Sequence, residues 1–383
     1  MVLLVSASAP AAQGQRAAPL APAGWGDFVR AFDAYATADS VVGAGVLMMR
    51  DGRVLAHHEY GFADRALGQR ADERTIYHWA SITKTLTAVA IMQLRDRGRL
   101  ALDDRVTSYV PEVRLVHDPF GSVDAITVRM LLSHSAGFQN PTWPYGAGRP
   151  WEPFEPTRWE QLVAMMPYQE IAFPPGSRYS YSNPAFIYLA RIIEQVTGDP
   201  YQGYVYKNLW TPLGMTGSYF GATPYHLAAR RSNNYTVTRD SAGRVSVVAN
   251  GRDFDPGITI PNGGWNAPLG DVARWVGFLT SARGGDSVLA RSSLDEMWRP
   301  LHRADGDAPG DSVGLSFFVL WRGGVRFIGH TGHQAGFRSF FYINPKTSAA
   351  VIAAFNTTND AGDARSEQGF RTIRDTALEL ITR

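Results

Sequence analysis

Ser81 and Lys84 stand three residues apart in Trp79-Ala80-Ser81-Ile82-Thr83-Lys84-Thr85-Leu86. Ile82, Leu86, Val89, Ala90 and Leu94 then recur at helical spacing until Gly98 ends the pattern. Residues i and i+3 share a helix face, so this hydroxyl and this amine can meet. In the first helical turn the backbone N–H groups are free and the dipole is positive, which favours developing negative charge. A serine placed there, with an amine one turn on, can attack a carbonyl carbon and give up its proton; the chemistry is acyl transfer. A capping serine beside a solvated lysine has the same spacing, so these residues need company before the reading holds.

Two further clusters supply it. Tyr179-Ser180-Tyr181-Ser182-Asn183 follows Pro174-Pro175-Gly176 and enters a helix whose apolar face is Phe186, Leu189, Ile192, Ile193 and Val196, stopped by Gly198. Gly329-His330-Thr331-Gly332-His333 lies between two apolar segments read as strands, Val325–Gly329 and Ser339–Ile343. Around these, Trp25–Ala36 reads as a helix, and Val46–Met49 with Val54–His58 as a hairpin about the Asp51-Gly52 turn. Ile126–His134, Val205–Trp210, Leu269–Leu279 and Phe370–Ile381 read as helices. Gly314–Phe318 and Ala350–Phe355 read as further strands, with short ones at Tyr235–Val237 and Arg244–Val248. Residues 137–177 form a long loop rich in aromatics, either a wall over a pocket or cover for a core.

Strands gather at both chain ends and helices in the middle. The fold class expected is therefore α/β (α+β), with an antiparallel sheet built from both ends, flanked by helices, and a mostly helical middle lobe. The boundaries expected are a leader over 1–25 and one domain over 26–383. Within that domain an α/β lobe takes 26–100 and 255–383, and a helical lobe takes 101–254.

The chain has 383 residues, a net charge of +2 and no cysteine. Disulfides, thiolate catalysis and cysteine-held metals are thereby excluded. No run of Lys and Arg points to nucleic acid, and no apolar run is long enough for a transmembrane segment. Nothing sets an oligomeric state. Met1–Val5 followed by small residues looks like the end of a signal peptide, so export is expected.

In order, the three clusters resemble the motifs of the serine β-lactamase and penicillin-binding-protein superfamily. The likeness is closest to its class C-related branch of family VIII esterases and D-aminopeptidases, where S-x-x-K is followed by Y-x-N and then K-T-G or H-x-G. Leu131-Leu132-Ser133-His134-Ser135-Ala136-Gly137 is similar to the family's LLxHxSG segment, with Ala136 in place of its serine. Leu102-Asp103-Asp104, Pro212-Leu213-Gly214-Met215, Gly263-Gly264 and Gly336-Phe337 are similar too. Two departures stand out: His330 where β-lactamases carry lysine, and a bulkier segment at 264–269.

The resemblance implies a serine hydrolase of small ester or amide bonds, with no cofactor and no metal. Ser81 would form the acyl-enzyme, with Lys84 or Tyr181 taking its proton and Tyr181 passing one to the leaving group. A cationic Lys84 would depress Tyr181 if the phenolate were the base. Asn183 would bond the substrate or Lys84, and His330, Gly332 and His333 would line the substrate and oxyanion side. A carboxylesterase is the first expectation; a β-lactamase, a D-amino-acid amidase and a non-turnover penicillin-binding sensor are the alternatives. A different hydrolase reading also exists. Ser133–Gly137 nearly matches a nucleophile elbow, which would make Ser135 the nucleophile and demands a strand before it.

Overall fold

The computed structural model describes residues 22–138, 156–253, 255–281, 284–285, 288–304, 310–359 and 364–382. The expected leader therefore falls mostly outside the described residues, as does 139–155 of the aromatic loop.

Both chain ends meet in one nine-stranded sheet. Gly43–Arg50 pairs antiparallel with Ala349–Phe355, in register from Ala44 opposite Phe355 to Arg50 opposite Ala349. On its other edge it forms the expected hairpin with Arg53–Asp64. Beyond Ala349–Phe355 come Phe337–Asn344, Val325–Gln334 and Phe318–Arg322. Successive side chains in a strand face opposite ways, and the core divides accordingly. Val46 and Met48 join Phe28, Phe32, Phe340, Phe355 and Ile373 beneath the helices Trp25–Ala38 and Ala364–Leu380. Leu47 and Met49 join Leu86, Val89, Phe341 and Ile352 on the other face. Each large apolar side chain so buried stabilises the fold by about 1.5–3 kcal/mol.

On that second face lies the helix Thr83–Asp96, every residue of which from Thr83 to Leu94 is buried. Lys84 is thus carried into a packed interior by its neighbours. Pro184–Thr197 packs beside it, ended as expected by Gly198 in the left-handed region. Between 219 and 268 the chain makes two small sheets. One joins Asn234–Arg239 to Val245–Gly251 and to Thr357–Asn359, and the other joins Trp265–Pro268 to Ile76–His78 and Tyr219–Phe220. Trp265 is fully buried against Trp79, so the bulk noted at 264–269 goes into the core.

Three local expectations need correction. Gly314–Phe318 is no strand: Leu315 N–H bonds Met297 O and Ser316 N–H bonds Leu132 O, so this backbone is taken by helix ends. Strands occur instead at Ser312–Val313 and Phe318–Arg322. The His330 segment does not connect strands but lies within one, Val325–Gln334: His330–Gln334 pairs along one edge with Phe337–Phe341, while the pairing to Phe318–Arg322 on the other edge stops at Gly329. The helix expected over Ile126–His134 is only Val128–Leu132, because His134 turns the chain with φ of 56°. No described helix is long and apolar enough to cross a membrane.

Candidate active site

Ser81 sits in a short 3-10 turn, Ala80–Ile82, that feeds directly into Thr83–Asp96. As second residue of that turn its N–H has no partner one turn back, leaving a donor at the positive end of the helix. Several contacts fix the turn. Trp79 N–H bonds Trp265 O at 2.8 Å, and Thr83 Oγ1 donates to Ala80 O at 2.6 Å while accepting Trp265 N–H at 3.0 Å. Ala80 is held at φ of 46°, a strained conformation for a residue with a Cβ.

Gly332 presses against the same turn. A Cβ on Gly332 would lie 2.3 Å from Ser339 Oγ and 2.4 Å from Trp79 O. Only glycine lets the strand approach this closely. Gly332→Ala is expected to destabilise the protein by about 1–3 kcal/mol, the usual range for overpacking. The displaced Ser81 turn should also lower turnover. Thermal melting and ester turnover measured together check this; a variant with unchanged stability and rate would count against it.

The Lys84 amine has no exposure to solvent. Its Nζ is 3.2 Å from Ser81 Oγ, 2.8 Å from Asn183 Oδ1 and 2.8 Å from the Asn262 carbonyl oxygen. Burial holds this amine well below the ordinary lysine value. A neutral amine has two hydrogens and one lone pair. Two carbonyl oxygens accept the hydrogens, and the lone pair is left for the Ser81 hydroxyl. Phe186 and Tyr181 cover the amine, with ring centroids 5.5 and 4.8 Å from Nζ.

Tyr181 lies across the same group, its phenol hydrogen-bonded to the Ser81 side chain. Burial pushes this phenol up, only partly offset by the Ser81 bond. The lowering expected from a cationic Lys84 is therefore not what the packing provides. Burial disfavours the charged form of both partners, the ammonium of Lys84 and the phenolate of Tyr181. Asn183, at the entry to Pro184–Thr197, turns its side-chain oxygen to Lys84.

The third cluster divides between the two faces of its strand. His330 is buried, with Phe318 and Tyr181 centroids 4.8 and 6.4 Å from its ring. Its Nδ1 lies 2.5 Å from Thr331 O, and burial, then Lys84, lowers its pKa to about 3. A neutral ring donating there leaves Nε2 as a bare acceptor, buried and without a protein partner among the described residues. His333, three residues on, is exposed. Strand residues three apart face opposite sides, so these two imidazoles cannot converge on one ion. Among the described residues there is no group of three His, Cys, Asp or Glu able to hold a metal.

Ser135 is buried, its hydroxyl 3.0 Å from that of Ser133, and a helix rather than a strand precedes it. The elbow reading fails on both counts.

Four contributors escaped the sequence reading. The Asn262 carbonyl was invisible because any residue type can supply one. Phe186 counted only as core, Phe318 as strand, and His134 as a helix end and as part of a family segment, with no tie to Tyr181. His134 stacks on Tyr181 at 4.5 Å and 23° and accepts Ser182 N–H on Nδ1 at 3.0 Å. Next to the Ser81 turn opens a cavity of about 480 Å³, lined by His78, Gln334 and Phe337 with Asn234, Asn250 and Asp253. Gln334 Oε1 would lie 3.7 Å from a Cβ on Gly263, and that Cβ 4.0 Å from the Ala80 backbone.

The beta-lactamase family profile matches residues 28–374. Protein flp of Staphylococcus aureus (strain COL) is 24% identical over 320 residues, covering 84% of this chain and 60% of flp. The chain thus spans 60% of the length of that curated relative. Esterase EstB of Burkholderia gladioli is 30% identical over 301 residues, covering 72% of this chain and 74% of EstB. The structure of D-amino acid amidase from Ochrobactrum anthropi SV3 superposes with a TM-score of 0.74 at 21% identity, covering 93% and 99% of the two chains, a shared fold. A profile matched over nearly the whole chain and a relative at 30% identity leave one conclusion: the chain belongs to the beta-lactamase family.

Proposed function

We propose that this protein hydrolyses small esters through an acyl-enzyme on Ser81, as a carboxylesterase of the beta-lactamase type. The observation that carries the reading is the Lys84 amine, with two carbonyl oxygens at 2.8 Å and Ser81 Oγ at 3.2 Å. Ser81 Oγ attacks the ester carbonyl carbon while Lys84 takes its proton. The carbonyl oxygen becomes an oxyanion facing the N–H groups of Ser81 and His333. As the tetrahedral intermediate collapses, Tyr181 gives its proton to the departing alkoxide and is reprotonated from Lys84. Water then attacks the acyl carbon by the same route, releasing the acid and restoring Ser81.

Esters are favoured over β-lactams by His330. A lysine there would be a standing cation for a carboxylate; this imidazole is kept neutral by burial. EstB is an esterase by name, which supports the same choice. The structural likeness to a D-amino acid amidase makes D-amino-acid amides the second substrate class to test.

A panel of short-chain nitrophenyl esters, a chromogenic cephalosporin and D-phenylalanine amide tests the proposal. Steady turnover of the esters, faster than of the cephalosporin, is expected. Faster cephalosporin hydrolysis, or cleavage of long-chain lipid esters alone, would refute the substrate assignment. One equivalent of product followed by no steady state would mark a sensor instead of an enzyme.

A further inference from the structure

We propose that His134 is a positioning residue that clamps Tyr181, holding the peptide on each side of it and one face of its ring. The inference rests on the hydrolase reading above, since it assigns His134 a part in aiming the Tyr181 phenol at Ser81.

Three contacts make the clamp. The His134 carbonyl oxygen accepts Ser180 N–H at 2.8 Å. Its Nδ1 accepts Ser182 N–H at 3.0 Å. Its ring stacks on that of Tyr181, centroids 4.5 Å apart and planes 23° from parallel. One residue thereby bonds both neighbours of Tyr181 where no strand pairing fixes the backbone. The histidine is itself held: Phe186 and Tyr179 lie 5.1 and 5.8 Å from its ring, and it is almost wholly buried. Its φ of 56° bends the backbone so that carbonyl and side chain serve the same segment. Non-glycine residues rarely take that conformation, and histidine is among the few enriched in it. The strain is kept at a place where it aims two hydrogen bonds.

The tautomer follows. Because Nδ1 accepts a backbone N–H, the neutral ring carries its proton on Nε2, which is buried and has no protein partner among the described residues. The ring must also remain neutral, because protonating Nδ1 would set two donors against each other. The titratable groups facing it are Lys84 from the serine helix, His330 from the motif strand, and the two tyrosines of its partner segment. None is an acid that would draw a proton onto it. Burial, then Lys84 and His330, holds its pKa well below the ordinary histidine value.

A histidine that merely filled core volume would be replaced by phenylalanine without kinetic effect. The test compares His134→Phe, which keeps a ring and loses the acceptor, with His134→Asn, which loses the ring but offers Oδ1 where Nδ1 was and tolerates positive φ. On a short-chain nitrophenyl ester His134→Phe is expected to lower kcat roughly 10- to 100-fold with KM within about threefold, the size of effect a misaimed group produces. His134→Asn is expected to recover most of that loss. Wild-type kcat in a folded His134→Phe, or kcat falling equally in both variants, overturns the proposal. Imidazole 15N spectra of the wild-type protein test it without activity: an Nε2–H tautomer with hydrogen-bonded Nδ1 is expected, and an Nδ1–H tautomer overturns it. Ser81→Ala runs as the control. If it hydrolyses the ester as fast as wild type, the hydrolase reading fails while the spectra still decide the clamp.

Discussion

Ser81→Ala is expected to reduce kcat/KM for a short ester by at least about ten-thousand-fold, the scale at which serine hydrolases lose turnover without their nucleophile. The change removes one oxygen from a partly exposed side chain, while the turn around it is held by Trp79, Thr83, Ser339 and Trp265. The variant should therefore fold like the parent, and its loss should be chemical. Intact-protein mass spectrometry makes the point directly: a slowly hydrolysed ester should add one acyl group to the parent and none to Ser81→Ala. Ser135→Ala is the matched comparison. That hydroxyl is buried against Ser133, away from solvent, and its removal should leave turnover within a few-fold. Activity that survives in Ser81→Ala and vanishes in Ser135→Ala would reverse the assignment.

Lys84→Met is the second large effect, and it runs in opposite directions for rate and stability. Removing a general base costs about 10²–10⁴ in rate. The same change replaces a buried amine, held well below the ordinary lysine value by burial, with an apolar side chain of similar length. Between that lowered value and the ordinary one near 10.5, the unfolded chain carries the Lys84 proton and the folded chain does not. The unfolded state then binds more protons, so this residue makes stability rise with pH and fall in acid. Lys84→Met should raise the melting temperature at neutral pH and flatten that part of the pH dependence. Turnover of the parent should fall as acid protonates Lys84, whose lone pair then no longer faces Ser81. A stabilised, inactive variant is the expected result. A variant with parental turnover removes Lys84 from the mechanism, and one that keeps the parent's pH dependence of stability contradicts the lowered amine.

The sequence singled out the side chains that the fold brings together because their spacing is local. Ser81 and Lys84 meet through helix geometry alone, and Tyr181 and Asn183 announce themselves at a helix entry. The common sheet of the two chain ends was legible for a similar reason, since the short uninterrupted apolar runs Val46–Met49 and Ala350–Phe355 mark strands buried on both faces wherever they later pair. The strand containing His330 was read as ending at Gly329, five residues short of its end at Gln334. Gly329, Thr331 and Gly332 interrupt the apolar pattern, and what carries the strand through them is hairpin pairing of His330–Gln334 with Phe337–Phe341, just beyond the Ala335-Gly336 turn.

What the sequence determined by itself, then, was which groups could react and which family pattern they follow, because residue type and helical spacing are written in neighbouring letters. The tertiary structure decided their protonation and aim. No carboxylate packs against the Lys84 amine among the described residues; Asn183, the Asn262 carbonyl, Phe186 and Tyr181 do. Burial among partners about 100 and 180 residues away along the chain disfavours the amine's charge and holds it well below the ordinary lysine value. It also raises the Tyr181 phenol and sets His134 beneath it. Desolvation is a property of the assembled interior, and no short stretch of sequence carries it.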